Sequence, residues 1–253
     1  MKLKIEGLSA GYDKDFVIKD LSLSVNQGEF LSLLGPSGCG KTTLMKAVAG
    51  ILPAQGGRIL LDGEDITGLP IHKRGTVIVF QDMRLFPHMT VEENVAFPLK
   101  MQGKLNTENG KEKVEHMLNV IGLESFRDDY PGQLSGGMAQ RVALVRTLIS
   151  QPEILLLDEP LGALDAFTRM NMQDEILDIW KKRKQLVVMV THDVDEAIYM
   201  GTRVIAMEAN PGQIKADIPI ELPYPRDRSS AEFVGYRNQI LGLLNYGSGE
   251  KGE

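Results

Sequence analysis

Nine consecutive residues, Gly35, Pro36, Ser37, Gly38, Cys39, Gly40, Lys41, Thr42 and Thr43, constrain this chain more than any other stretch. They fill the spacing G-x-x-x-x-G-K-[ST], with Gly35, Gly40, Lys41 and Thr42 at the fixed positions. The apolar run over residues 29–34 has strand length, and residues 43–52 carry helix formers at helical apolar spacing. Strand, glycine turn and helix in that order make a phosphate cradle. Glycines let successive backbone N–H groups curl round phosphate oxygens, and the helix start adds partial positive charge. Lys41 brings a mobile full charge to the terminal phosphates, and the Thr42 hydroxyl suits a Mg²⁺ coordination position. The chain is expected to bind a nucleoside triphosphate.

Composition narrows the class. A chain of 253 residues has room for one large or two small domains with a sizeable core. A net charge of −6 speaks against a general nucleic-acid surface. No apolar run approaches the roughly 18 residues of a membrane span, and residues 1–10 lack the apolar core of a signal peptide. The single cysteine, Cys39, excludes an intramolecular disulfide and fits a reducing cytoplasm. Two readings of Cys39 stand side by side: a small residue suited to a tight turn, or a thiol activated by Lys41 and the helix start, open to alkylation unless ATP protects it.

Residues 2–8 and 18–25 alternate apolar and polar, as half-buried antiparallel strands do. Tyr12 between them is a strand-end aromatic or a flat surface for an adenine ring. Further strands are expected at 58–62, 76–80, 153–157, 185–190, 202–207 and 213–220. Gln81, at the carboxyl end of one of them, stands at the edge where α/β sheets bind ligands, although a solvated loop glutamine fits equally. Thr90 and Glu93 form a capping box. Ahead of it Leu85, Phe86 and Met89 read as exposed apolar residues, either core or a patch for a partner.

Strand signals vanish between about 84 and 150, as in an inserted helical subdomain. Residues 112–122 carry a core-facing helical stripe, with Asn106, Asn109 and Gly110 marking the loop before it. Ser135, Gly136, Gly137 and Met138 open another helix, a second helix start able to meet an anion, although an N-cap serine beside flexible glycines explains the residues alone. The apolar run 153–157 ends in Asp158 and Glu159. A carboxylate there, beside a phosphate loop, is placed to hold Mg²⁺, and its neighbour to take a proton from water. Asp165 caps the helix over 166–181, and His192 follows the strand at 185–190, where a lone histidine is more often structural than catalytic. His72, His88 and His116 show no ligand spacing. An amphipathic helix is expected over 229–244 and a disordered tail over 246–253.

The order of these signals (phosphate loop, Gln81, LSGGM at 134–138, EILLLDE at 153–159, Leu164 with Asp165, His192) resembles the ATP-binding cassette (ABC) ATPases over nearly the whole chain. LSGG about 20 residues before a strand ending in Asp-Glu is not shared with kinases or GTPases. The resemblance implies one α/β cassette over 1–245, a mixed-sheet P-loop core with an antiparallel β part and the helical subdomain within it. It implies ATP and Mg²⁺ as ligands, with residues 35–43 holding the nucleotide. Tyr12 would stack on adenine, Lys41 and His192 would face the γ-phosphate, and Thr42, Gln81 and Asp158 would serve the metal. Glu159 would be the general base, while Ser135, Gly136, Gly137 and Met138 would act on the ATP of a second copy, with Asp165 at the contact.

LSGGMAQR, LDEPLGALDAFTR, VTHDVDEAIYMGTRVIAM and LPYPRDR are similar to the nitrate/sulfonate/taurine importer branch. Met138 stands where the wider family has glutamine, and Leu161 where the branch often has phenylalanine. This resemblance implies an ATP-hydrolysing homodimer on the cytoplasmic face of the inner or plasma membrane. It would dock on integral permease subunits through the region after Gln81, including Arg84, Leu85, Phe86 and His88, and depend indirectly on a substrate-binding protein. A small anion such as nitrate, a sulfonate, taurine or bicarbonate is the expected cargo, and no nucleic acid is expected. The alternative is a soluble ABC ATPase, as in iron–sulfur assembly. Only 94 positions separate Lys41 from Ser135, too few for the long coiled coil of DNA-repair forms.

Overall fold

A computed structural model describes residues 2–12, 15–79, 85–150, 152–162 and 164–244. In chain order the first elements are β1 (Leu3–Tyr12), β2 (Asp15–Val25), β3 (Phe30–Leu34), α1 (Lys41–Ala49), β4 (Gly56–Leu61), β5 (Glu64–Asp65) and β6 (Thr76–Val79). Four helices come next, α2 (Val91–Met101), α3 (Glu108–Val120), α4 (Gly136–Leu148) and, after β7 (Ile154–Asp158), α5 (Ala166–Arg183). β8 (Leu186–Val190), α6 (Val194–Met200), β9 (Arg203–Glu208), β10 (Gln213–Pro219) and α7 (Ala231–Leu243) complete the order. By their contacts the residues form two compact units. One comprises Met1–Ile78, Ile154–Asp158 and Arg183–Glu253, and the other Val79–Glu153 and Glu159–Lys182.

The first unit carries the sheets. Alternation in β1 buries Leu3 and Ile5 and turns Lys4 to solvent, and a register shift between Ile5 and Leu8 brings Leu8 into the core as well. β1 pairs antiparallel with β2 on one side and β4 on the other, in a sheet ordered β2-β1-β4-β5. β3, β7 and β8 are buried at every position, as expected of strands covered on both faces. They run parallel with β9 in a second sheet, ordered β10-β9-β3-β8-β7-β6, whose β10 edge is antiparallel. Each Leu or Val so buried contributes roughly 1.5–3 kcal/mol, so the leucine run of β7 alone is comparable to the net stability of a domain before chain entropy is set against it. One apolar cluster joins Leu3, Ile5 and Ile59 to Leu44 and Val48 of α1 and to Leu33, Leu156 and Val188. A second joins Leu34, Ala197, Ile198 and Val204 to Ile218, Phe233 and Ile240.

In the second unit α2 packs against α3 and α4. The capping box at α2 is complete: the Thr90 hydroxyl accepts from Glu93 N at 3.2 Å and the Glu93 carboxylate from Thr90 N at 2.9 Å. α3 starts earlier than the loop signals imply. Thr107 caps it by accepting from Gly110 N at 3.0 Å, so Asn109 and Gly110 lie in its first turn. Gly110 is there for space, since a Cβ would stand 2.1 Å from Lys104 O. Leu85 is buried and Phe86 and Met89 half-buried, which favours the core reading of these residues over the patch. The Phe86 ring lies 4.7 Å from that of Phe97, with the Arg146 guanidinium 4.9 Å away, so these residues find their apolar and cation–π partners within the unit. Gln81, Arg84 and the tail over 246–253 lie outside the described residues.

Candidate functional site

β3 runs straight into the glycine loop, and α1 begins at Lys41. Gly35, Gly38 and Gly40 have φ of 156°, 80° and 95°. At Gly35 a Cβ would stand 2.6 Å from Met207 O and 2.7 Å from Cys39 Sγ, and at Gly40 2.8 Å from Ile18 Cγ1, so loop shape and close packing both demand glycine. Gly40 is the N-cap of α1 and offers no side-chain cap. The amides of this first turn therefore keep their capacity for an outside acceptor. Lys41 is 8% exposed, and its ammonium donates to Gly35 O at 2.7 Å and Pro36 O at 2.9 Å. It is thus held across the mouth of the loop it belongs to. Cys39 is fully buried beside it, with Lys41 Nζ 3.6 Å from its sulfur. Of its two readings the buried position favours the packing one, because no alkylating reagent reaches a thiol enclosed in this way.

The parallel strands bring Asp158 and His192 to the edge where the loop opens. Asp158 closes β7, and its Oδ1 accepts a hydrogen bond from Thr42 Oγ1 at 3.0 Å. Two hard oxygens side by side suit Mg²⁺, which takes few protein ligands and completes its octahedron with water and phosphate. Glu159 follows with φ of 49°, a left-handed conformation costing about 1–2 kcal/mol in a residue other than glycine. His192 stands exposed beyond β8, which lies between β3 and β7 in the sheet. It is flanked by Thr191, whose hydroxyl accepts from Asp193 N at 3.1 Å, and by Asp193, which caps α6 through Glu196 N at 3.1 Å. Tyr12 is 49% exposed, and Lys46 of α1 reaches its hydroxyl at 3.4 Å.

The second unit holds the other candidates. Ser135 is the exposed N-cap of α4, its hydroxyl accepting from Met138 N at 3.3 Å. Around Gly136 nothing lies within 4 Å of a would-be Cβ, whereas Gly137 and Met138 are half-buried. Asp165 caps α5 by accepting from Thr168 N at 3.0 Å, and hydrogen bonds from Thr168 hold its carboxyl below the usual range. A cavity of about 380 Å³ lies beside α2, with Met89, Ala96, Phe97 and Leu105 in its lining and Glu92, Glu93 and Asp128 set against a single cation, Lys100.

Three residues escaped sequence reasoning. Lys46 stands over the Tyr12 ring, one helical turn beyond Thr42, the last fixed position of the loop motif. Arg74, 3% exposed, donates to Ala47 O at 2.8 Å and Val48 O at 3.1 Å, closing the far end of α1. Asn94, fully buried in α2, binds the turn before it, accepting from Phe86 N at 2.9 Å and donating to Met89 O at 3.1 Å. An asparagine among Val91, Val95 and Leu99 on a buried helix face was the one visible signal.

Residues 18–162 match the family model described as ABC transporter. An uncharacterized ABC transporter ATP-binding protein of Methanocaldococcus jannaschii is 46% identical over 248 residues, 96% of this chain and 91% of that protein. The aliphatic sulfonates import ATP-binding protein SsuB of Bacillus subtilis is 44% identical over 228 residues, 90% of this chain and 87% of that protein. Among solved structures, a dimeric ATP-binding cassette in a post-hydrolysis state with ADP and Pi superposes with a TM-score of 0.76 at 29% identity, covering 87% of this chain and all of that one.

Proposed function

The chain belongs to the ABC transporter family as an ATP-binding cassette with ATPase activity, and on that premise we propose that it drives an importer of small anions, sulfonates first among them. One observation carries the mechanistic part of this reading. The chain has a walled phosphate loop in one unit and an open, serine-capped helix start in the other. A walled loop binds ATP by itself, and an open helix start serves the γ-phosphate of a partner molecule. We take the working form to be a homodimer, one cassette per chain over 1–245, in which ATP draws two copies together.

In this reading Gly35 to Thr43 wrap the phosphates, Lys41 exchanges its loop carbonyls for phosphate oxygens, and Tyr12 stacks on the adenine. Thr42 and Asp158, with Gln81, would hold Mg²⁺, which when bound neutralises charge shared by the terminal phosphates. Glu159 takes the proton of the attacking water. His192 touches the γ-phosphate, and Ser135 to Gly137 of the second copy donate to it. Asp165 lies at the contact between copies.

No described helix is long and apolar enough to cross a membrane. Coupling to transport therefore calls for separate permease subunits, met at the cytoplasmic face of the membrane, with a substrate-binding protein further along the route. In this reading the cavity beside α2, with Lys100 beside Glu92, Glu93 and Asp128 in its lining, and the exposed His88 ahead of it give the docking surface. Purifying the tagged chain from membranes in mild detergent is expected to recover a polytopic membrane protein. Recovery of soluble partners alone favours the assembly-ATPase alternative. Glu159→Gln is expected to bind ATP and elute as a dimer with turnover reduced about 100-fold, as loss of a general base implies; parental turnover refutes the base assignment.

A further inference from the structure

α6 has seven residues, below the roughly 12 that an isolated helix needs to persist in water. It nonetheless begins two positions after His192, so its orientation decides where that imidazole stands. The segment after β10 grips it at both ends. At the carboxyl end the Arg226 guanidinium, 7% exposed, donates to Ile198 O, to Gly201 O at 2.6 Å and to Tyr199 O at 3.3 Å. The Tyr224 hydroxyl donates to Met200 O at 2.6 Å, and burial pushes that phenol up to about 12, so it remains a donor at neutral pH. The last carbonyls of α6 thus receive their hydrogen bonds from the tail, with a cation at the negative end of the helix. At the amino end Arg237 of α7 makes a two-pronged pair with Asp195, at 2.5 and 2.6 Å. Between the two ends Ala197 and Ile198 pack with Phe233 and Ile240.

We propose that Arg226 and Arg237 are positioning residues for ATP hydrolysis, which act by fixing α6 and through it His192. Arg74 offers an internal parallel, since it closes α1 at the end remote from the phosphate loop in the same way. The LPYPRDR stretch over 222–228, which the nucleotide site leaves without a role, then has one: it carries Tyr224 and Arg226 to the end of α6. The inference rests on the reading of His192 as a γ-phosphate contact, and its test is built to separate the two.

Arg237 is the cleaner probe, because its pair is partly exposed and the variant is expected to fold. With the full chain labelled with ¹⁵N at histidine, Arg237→Ala is expected to shift the His192 imidazole signals, identified by their loss in His192→Ala, and to leave those of His72, His88 and His116 in place. Turnover is expected to fall about fivefold with KM for ATP within twofold, in line with losing one bidentate pair. Arg237→Lys is expected to recover part of the rate, and Arg237→Ala to cost nothing further in a His192→Ala background. Unmoved His192 signals, or an equal loss of turnover in both backgrounds, overturn the proposal. Parental turnover in His192→Ala overturns the reading of His192 and the catalytic role of the clamp with it, while the spectra still report whether the clamp sets the imidazole.

Discussion

The two helix starts, at α1 and at α4, use the same backbone chemistry in opposite ways. At α1 the first turn has no side-chain cap, Lys41 is nearly buried, and two loop glycines are hemmed in by neighbouring atoms. At α4 a serine hydroxyl caps the turn, Ser135 and Gly136 are exposed, and nothing crowds Gly136. The first site is shaped before its ligand arrives, so little ordering entropy opposes binding. The second faces water, which screens its dipole until another surface excludes the solvent. The difference teaches that one helix start is shaped in advance for a ligand and the other left open to one, and under the proposed function affinity and turnover fall to these different parts of the chain.

Substitutions sharpen or break this contrast, beginning with the largest expected effect. Lys41→Ala is expected to weaken nucleotide binding by about 100-fold or more, the cost of one charge-assisted contact in a walled site. A fluorescent ATP analogue in an equilibrium titration reads this, and affinity within threefold of the parent removes the distinction at its stronger end. Ser135→Arg is expected to cut turnover by about 100-fold while the monomer binds ATP within twofold of the parent. Equal losses of binding and turnover dissolve the division of labour.

The glycines extend the contrast to stability. Gly35→Ala is expected to cost about 2–4 kcal/mol through clash and backbone strain, lowering the thermal midpoint by about 5–10 °C. Gly136→Ala is expected to stay within about 0.5 kcal/mol, since its site is open. Calorimetry of the two side by side decides, and similar midpoints show that the α1 loop is no more constrained than the α4 start.

What was legible in the sequence lies close together along it. β3, the loop and α1 follow one another, so their apolar spacing and glycines announce them directly. The capping box of α2 and the N-cap of α4 need only four residues each. The roles of Tyr12, Gln81, Ser135, Asp165 and His192 had a different origin, since each residue alone fits an ordinary structural place and only the family resemblance set them in one mechanism. What stayed hidden depends on reach. Arg74 meets Ala47 across 27 positions and Arg226 meets Ile198 across 28, and nothing in the local pattern of either arginine marks a carbonyl acceptor so far away. Gly110 misled for a related reason: glycine signals a loop locally, but here it makes room for Lys104 O. Leu85 read as exposed because its covering residues belong to other stretches of the chain.

The enclosure of Cys39 has a practical consequence. As the chain's single cysteine, and fully buried, it leaves the native surface silent towards maleimide dyes and spin labels. A cysteine introduced at an exposed position away from the site, such as Met101, becomes the sole reactive handle without any change to the phosphate loop or the α4 start. Two labelled copies then form a molecular ruler, on which the proposed approach and parting of subunits would be read as a distance through each round of ATP.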